Sequence, residues 1–303
     1  DIQPFLSATS ATLDGVNPAL VHIVPSFTLT NGNAYTLFTN NIEDIVGNPS
    51  ASQSVNFDYL IAETPVAGDV VINEFMCDQT PQVGLPIVEF VEVYNKSNKI
   101  FDVVNWKIGD ASSDGTLNQN WLLPGEYMIL VSTSNVDSFA IVTTVTSFPS
   151  LNNTGDNIVL RSDLGLTLDS ISYTDEWYHD PNKEGGGYSI ERINPNDPCT
   201  DINDWAASNN PLGGTPGAQN SIYDITPDTD LASITNLVAL SPNFLEIHFN
   251  EGMDSTSLAD AMISVAPILT IQNQYVLNAA PTMMTLQFVE NIAPSQTYAI
   301  QLQ

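Results

Sequence analysis

Apolar and polar residues alternate in short runs along almost the whole chain, and this period of two is typical of β-strands. Clear runs cover residues 34–38, 69–73, 89–94, 127–131, 157–161 and 244–249. Gly, Pro, Asn and Asp bound these runs about every ten residues, a spacing typical of β-sandwiches. The pattern therefore predicts an all-β fold of the sandwich type. One short helix is predicted over residues 255–262, with Asp254 as its N-cap.

The two ends of the chain carry the same apolar pattern at an offset of 263 positions. Residues 17–40 align without a gap with residues 280–303, so that Tyr35 aligns with Tyr298. We expect the chain to begin inside one copy of a module and to end inside another, with a different domain between them. The predicted units are residues 1–64, 65–223 and 224–303. Each partial module would have exposed strand edges unless the two modules pair with each other or between molecules, so edge-to-edge self-association is one expectation.

The charge balance excludes several classes of ligand. Six Lys and Arg residues stand against 35 Asp and Glu, a formal charge of −29, so nucleic acid and anionic lipid are not expected as direct ligands. Hydrophobic residues make up 43% of the chain, which indicates packed cores rather than a disordered acidic tail. No apolar run approaches the roughly 20 residues of a membrane helix, so no membrane insertion is expected.

The basic residues are confined to the middle of the chain, between Lys96 and Arg192. Elsewhere Asp, Asn, Ser and Thr solvate the surface, as is more often found on secreted proteins. Cys77 and Cys199 are an even number of cysteines, and in an exported protein they would either form a disulfide or remain two buried thiols.

Residues 68–221 carry an ordered series of short motifs. They stand at residues 71–74, 89–95, 106, 125–130, 151–156, 169–173, 185–192, 205–208 and 213–217. In this order and spacing they resemble the lamin tail domain family, an immunoglobulin-like β-sandwich. The flanks resemble the Ig-like modules of bacterial surface-layer and adhesin-type proteins, through residues 249–254, 29–35 and 44–48.

This resemblance implies a bacterial exported or cell-surface protein, because lamin tail domains occur there beside Ig-like modules, nucleases and phosphatases. We expect a non-catalytic fragment that acts as a structural, spacer or adhesion module. One alternative is an accessory region of a secreted nuclease or phosphatase. A second is a glycan-binding module, and a protein ligand at the surface is a further open possibility. The sequence lacks the common nucleophile, zinc and phosphate-loop motifs, so no enzymatic activity is expected.

Calcium is the cofactor that the acidic loops suggest, because it binds several Asp, Asn and backbone oxygens. Asp201 and Asp204 form one predicted site, and Asp228 and Asp230 at a domain junction form another. The alternative is that these residues only solvate turns. Glu74 and Glu92, on adjacent predicted strands, are expected to accept hydrogen bonds from turn amides or from Arg192.

Trp177 and Tyr178 are expected among the few exposed aromatic residues. Such a pair could stack on a sugar, which is the basis of the glycan hypothesis. The alternative is that the two rings pack in a loop that covers one end of the sandwich.

Overall fold

Strand pairing divides the chain into an N-terminal, a central and a C-terminal unit. The structure, a computed structural model, describes residues 8–17, 19–40, 42–44, 46–110, 112–197, 201–226, 231–276 and 282–302. Within these ranges no sheet joins one unit to another. The regular secondary structure of the described residues is almost entirely β, as the alternating pattern predicts.

The N-terminal unit consists of two antiparallel hairpins. Its strands are β1 (Ala8–Leu13), β2 (Val21–Pro25), β3 (Asn33–Thr39) and β4 (Gln53–Tyr59). Tyr35 is the one buried apolar side chain among the described residues of this unit, whereas Val55 and Phe57 of β4 are exposed. Among the described residues of this unit, no further sheet covers the apolar side chains of the hairpins.

The central unit is built on one large curled sheet. Its elements are β5 (Val70–Met76), β6 (Phe90–Asn95), β7 (Phe101–Asp102), β8 (Lys107–Gly109), β9 (Asp114–Leu117), β10 (Trp121–Leu122), β11 (Tyr127–Ser132), β12 (Thr143–Thr146), β13 (Gly155–Arg161), β14 (Thr167–Thr174), β15 (Ile190–Arg192) and β16 (Trp205–Ala207). Ten of these strands pair in the order β14-β13-β8-β9-β12-β11-β6-β5-β15-β16, and β7 pairs with β10. Three 3₁₀ turns cover Thr133–Asn135, Asp175–Tyr178 and Ile202–Asp204.

The curl closes because the edge strand β14 lies against β5. Asp169 on β14 accepts a hydrogen bond from the backbone N–H of Ile72 on β5, at 2.8 Å, and the Gly68 amide donates to the Leu168 carbonyl at 2.8 Å. The inner face of the curl holds the main apolar core. Phe75 packs there against Tyr173 and Trp205, with ring centroids 4.6 Å and 5.7 Å away.

The C-terminal unit is a small two-layer sandwich. It contains β17 (Ile234–Ser241), β18 (Phe244–Phe249), α1 (Ser255–Ala259), β19 (Ile263–Ala266), β20 (Ile271–Tyr275), β21 (Met283–Phe288) and β22 (Ala299–Leu302). One sheet has the order β17-β18-β21-β20 and the other pairs β19 with β22. Asp254 caps α1 as predicted, since its carboxylate accepts the Ser257 amide at 2.6 Å, although the helix is shorter than expected.

The repeat at an offset of 263 positions is present in the strand pairing. In the N-terminal unit, Ala8 pairs with Pro25 and the ladder then skips one residue of β1. In the C-terminal unit, Ile271 pairs with Phe288 and the ladder skips one residue of β20 at the aligned position. The hydroxyl oxygen of Tyr35 accepts the Thr30 amide at 2.8 Å. The matching contact joins Tyr298 to the Ala293 amide at 3.0 Å. Strands β1, β2 and β3 are thus the equivalents of β20, β21 and β22.

None of the helices in the described part of the chain has the length and apolarity that crossing a membrane requires.

Candidate functional site

Three fully buried glutamates lie side by side on the outer face of the central sheet. Glu74 on β5 is paired directly with Glu92 on β6 and with Glu191 on β15, and directly paired residues project from the same face. All three are 0% exposed. A β-bulge at Asn73 interrupts the pairing of β5 with β6, and the Asn73 side chain reaches the Glu92 carboxylate at 2.9 Å.

Residues 208–222, which we call the strap, pass over this carboxylate cluster. Three backbone amides of the strap donate to the three carboxylates: Thr215 to Glu74 at 2.9 Å, Gly217 to Glu92, and Ile222 to Glu191 at 3.2 Å. The Ser221 hydroxyl adds a bond to Glu191 at 2.8 Å, and Ser189 of the sheet donates to Glu74 at 2.6 Å. Hydrogen bonds to carboxylates are stronger than those between neutral groups, so the cluster fastens the strap to the sheet.

Asn220 anchors the end of the strap. Its side-chain amide donates to the backbone carbonyls of Asn73 and Arg192, at 2.9 Å and 2.7 Å. Its carbonyl oxygen accepts from the Asn73 side chain at 2.9 Å. Asn220 therefore links β5 and β15 where the bulge leaves backbone groups outside the ladder.

Gly214 allows the strap to approach the cluster closely. A Cβ atom at this position would lie 2.6 Å from the Glu74 carboxylate and 2.7 Å from the Ser189 hydroxyl. Both of these groups are buried and hydrogen-bonded, so they have little room to move away. Any residue other than glycine would therefore lift the strap from the sheet.

Burial changes the protonation of the cluster. Removal from water raises the pKa of Glu74 to about 7, although the bonds from Ser189 and Thr215 oppose this, and the neighbouring charge of Glu191 adds to it. Burial, together with the charge of Glu74, holds the pKa of Glu92 well above its usual value. The carboxyl groups of the cluster therefore share fewer than three negative charges near neutral pH.

The Thr215 hydroxyl gives a geometric reason for a proton on Glu74. Its oxygen lies 3.3 Å from one carboxylate oxygen of Glu74 and 2.9 Å from one of Glu191, but it has a single proton to donate. When Glu74 is protonated, Thr215 accepts from Glu74 and donates to Glu191, and both contacts are then favourable.

A buried ion pair lies on the inner side of the same strands. Arg192 on β15 binds Asp169 on β14 at 3.1 Å and also donates to the Ile72 carbonyl at 3.3 Å. Its guanidinium lies 5.6 Å from the ring centre of Trp205. Burial raises the pKa of Asp169 even though Arg192 opposes the change. The ion pair connects β15 with the edge strand β14, whereas the carboxylate cluster on the opposite face is hydrogen-bonded to the strap.

The structure thus confirms that Glu74 and Glu92 accept bonds from turn amides, whereas Arg192 pairs with Asp169 instead. Sequence reasoning missed Glu191 and Asn220 as members of the cluster. The alternation Ser189, Ile190, Glu191 places Glu191 on the face opposite the core. An alternating strand of this kind usually has its polar face in water, so nothing local indicated that the strap would bury it.

The expectation that Trp177 and Tyr178 are exposed is wrong. They are 4% and 2% exposed, and the Trp177 ring packs 5.6 Å from that of Trp205. The 3₁₀ turn Asp175–Tyr178 folds both rings into the core, as in the alternative interpretation of a loop that covers the sandwich end. Neither ring presents a face on which a sugar could stack.

The predicted calcium ligands Asp201 and Asp204 form a capping box around a 3₁₀ turn. Asp201 accepts the Asn203 amide at 2.7 Å, and Asp204 accepts the Asp201 amide at 2.8 Å. Burial raises the pKa of Asp204 to about 6. Within the described ranges, no three His, Cys, Asp or Glu side chains are grouped so that they could hold a metal ion. Asp228 and Asp230 lie outside the described residues, so calcium binding there stays a prediction.

Cys77 is buried in the main core and forms no disulfide with another described residue. Its sulfur lies 3.7 Å from the Tyr178 hydroxyl, and burial raises the pKa of the thiol to about 11. Such a thiol is a poor nucleophile. Cys199 lies outside the described residues, and a disulfide between the two cysteines stays a prediction.

The geometry of the carboxylate cluster suits fastening and not chemistry on a substrate. Each of the six carboxyl oxygens has a hydrogen-bond partner in the strap or the sheet, and none of the three side chains reaches solvent. A substrate would have to displace the strap to reach them.

Residues 63–175 match the family model described as Lamin Tail Domain. Over these residues the central unit is similar to a lamin tail domain, and we use that name for the unit below. The lamin tail domain family has an immunoglobulin-like β-sandwich fold, in agreement with the predicted fold class. The match covers β5 to β14, and the same sheet continues through β15 and β16 towards the strap. No curated protein matches the chain.

We predict that the lamin tail domain becomes less stable as the pH rises from about 5 to about 8. Glu74 has a pKa of about 7 in the folded state against 4.5 for the free group, so the folded state binds its proton more tightly. The stabilisation is complete below pH 4.5 and is lost as the pH rises through about 7. At about 1.4 kcal/mol per pKa unit, Glu74 contributes about 3 kcal/mol to this change.

Urea unfolding followed by tryptophan fluorescence measures this, because all four tryptophans lie in the central unit. Glu74→Gln imitates the protonated side chain and should flatten the pH dependence. Glu176→Gln is the matched control, because it removes an exposed carboxylate and should leave the pH dependence of stability unchanged. If the free energy of unfolding changed equally with pH in the wild type and in Glu74→Gln, the prediction would be contradicted.

We also predict that Gly214→Ala destabilises the lamin tail domain by about 2 kcal/mol, because the added methyl group overpacks the contact between strap and cluster. Gly185→Ala is the control, since a Cβ atom there meets no atom within 4 Å. It should change the free energy of unfolding by less than about 0.5 kcal/mol. The same urea titration distinguishes the two variants, and equal stability would show that the strap does not lie tightly on Glu74.

Proposed function

We propose that this chain is part of an exported bacterial surface protein, in which the lamin tail domain and its flanking units act as structural spacer and display modules. The observation that carries the proposal is the repeat. The same β-unit, with the same ladder irregularity and the same tyrosine contact, stands on both sides of the lamin tail domain. Repeated β-units around one inserted domain are typical of extended arrays.

The distribution of charge supports export. Residues 1–95 and 193–303 carry no Lys or Arg, so both flanking units are purely acidic. A surface of this kind stays soluble by like-charge repulsion and does not bind nucleic acid or anionic membranes.

The construction of the lamin tail domain supports a structural role. The buried polar groups that could have served chemistry are tied to the strap and to the closure of the curl. Such a domain keeps its shape without a ligand, which is what a spacer between neighbouring modules requires.

The test of export is labelling of intact source cells with an amine reagent that does not cross membranes. Lys96, Lys99 and Lys183 are partly exposed and should react on intact cells to the same extent as after lysis. A cytoplasmic protein of the same cells serves as the control. Labelling only after lysis would overturn the proposal of surface display.

A domain replacement tests the spacer role. Residues 65–223 are replaced in the cells by an unrelated folded domain of similar size, and antibody binding to the C-terminal unit is measured on intact cells. A spacer predicts unchanged display of the C-terminal unit and unchanged adhesion of the cells. Loss of adhesion with display intact would assign the lamin tail domain a specific binding role instead.

A further inference from the structure

The chain enters the lamin tail domain at the end of the sheet where β5 begins and β6 ends. There the backbone amide of Gly68 donates to the Leu168 carbonyl of β14 at 2.8 Å. The Asp69 carbonyl accepts the backbone amide of Lys96, which follows β6, at 3.1 Å. These contacts attach the N-terminal unit to this end, which we call the entry end.

The chain leaves the domain near the same end. The backbone amide of Asp224 donates to the Ile193 carbonyl, directly after β15, at 3.1 Å. β15 runs antiparallel to β5, with Glu191 opposite Glu74, so the residues that follow β15 lie beside the first residues of β5. The C-terminal unit is therefore attached close to the entry end as well.

The buried ion pair connects the two points of attachment. Asp169 directly follows Leu168, which binds the entry segment, and Arg192 directly precedes Ile193, which binds the exit segment. The guanidinium and the carboxylate lie 3.1 Å apart. The spacing of entry and exit is thus set inside the lamin tail domain.

The opposite end of the sheet is well defined by the loops after β5 and before β15. The backbone amide of Gly187 donates to the Asp78 carbonyl at 2.8 Å, two residues beyond the last residue of β5. β16 also ends there, because it runs antiparallel to β15 from Trp205 to Ala207. A chain that left the domain directly after β16 would leave at this opposite end.

The strap is what brings the exit back. It begins after β16, lies across the carboxylate cluster, and is anchored by Asn220 to the backbone carbonyls of Asn73 and Arg192. Four residues after Asn220 the chain reaches Ile193. The three buried glutamates therefore fix not only the strap but also the place from which the C-terminal unit departs.

We propose that the lamin tail domain projects sideways from the chain, with both flanking units attached near its entry end and the exit held there by the strap. Neighbouring points of entry and exit are what allow one domain to be inserted into a chain as a side branch. The loops around Asp78 and Gly187 then face away from the flanking units. This inference rests on the proposed display function and deepens it, since the lamin tail domain is displayed beside the array and adds little to its length.

Distances between pairs of spin labels in the full chain test the proposal. The labelled cysteines replace three exposed residues: Ala67 at the entry, Ile225 at the exit and Glu184 at the opposite end. Cys199→Ser removes a second labelling site, and Cys77 is buried and should not react. The distance from Ile225 to Glu184 should exceed that from Ala67 to Ile225 by roughly 10 Å, because β5 alone spans about 20 Å. If the Ile225 label lay as close to Glu184 as to Ala67, the proposal would be overturned.

A variant of the strap anchor tests the role of the strap. Asn220→Ala should broaden the distribution of distances between Ala67 and Ile225 by about twofold, because an unanchored segment behaves as a flexible coil. Gln219→Ala changes the exposed neighbouring residue and should leave the distribution as in the wild type. A urea titration confirms that both variants are folded. An unchanged distribution in folded Asn220→Ala would show that the strap does not hold the exit.

These distances are measured on the purified chain and do not depend on its location in the cell. Failure of the surface labelling would overturn export and leave the side-branch geometry intact. Failure of the distance measurements would overturn the geometry and leave export intact, so the two proposals fail separately.

Discussion

Three glutamate side chains are buried on one face of the central sheet, and each must find hydrogen-bond donors there because an unpaired buried carboxyl group is strongly unfavourable. The donors come from the strap, whose amides at Thr215, Gly217 and Ile222 point at the three carboxyl groups. This requirement fixes the path of the strap and the need for glycine at position 214, whereas the burial itself raises the pKa of Glu74. The outer face of the lamin tail domain is thereby hydrogen-bonded to the strap.

The flanking units bury their apolar side chains less completely than the central unit does. Their strands have the same alternation as those of the central unit, but in the N-terminal unit the described residues supply no second layer, and apolar side chains such as Val55 remain in water. The C-terminal unit has its second layer and a core around Ile247 and Phe288. The described residues of the lamin tail domain close a core of their own.

Much of this could be predicted from the sequence because it depends on local periodicity. The two-residue alternation predicts the strands, Asp254 predicts where the helix begins, and the aligned tyrosines indicate the repeat. The features that could not be predicted depend on segments distant in sequence. Trp177 and Tyr178 sit in a polar-looking loop that a 3₁₀ turn folds inward, and Asp201 and Asp204 use their oxygens on amides of their own turn. Glu191 is buried only because residues some 25 positions later cross over it.

Native-state hydrogen exchange of the strap amides tests the central claim most directly. If the carboxylate cluster fastens the strap, the amides of Thr215, Gly217 and Ile222 exchange only when the lamin tail domain unfolds, at the rate of the core amides of β5 and β6. Exchange of these three amides at the rate of an open loop, with the β5 and β6 amides still protected, would contradict the account.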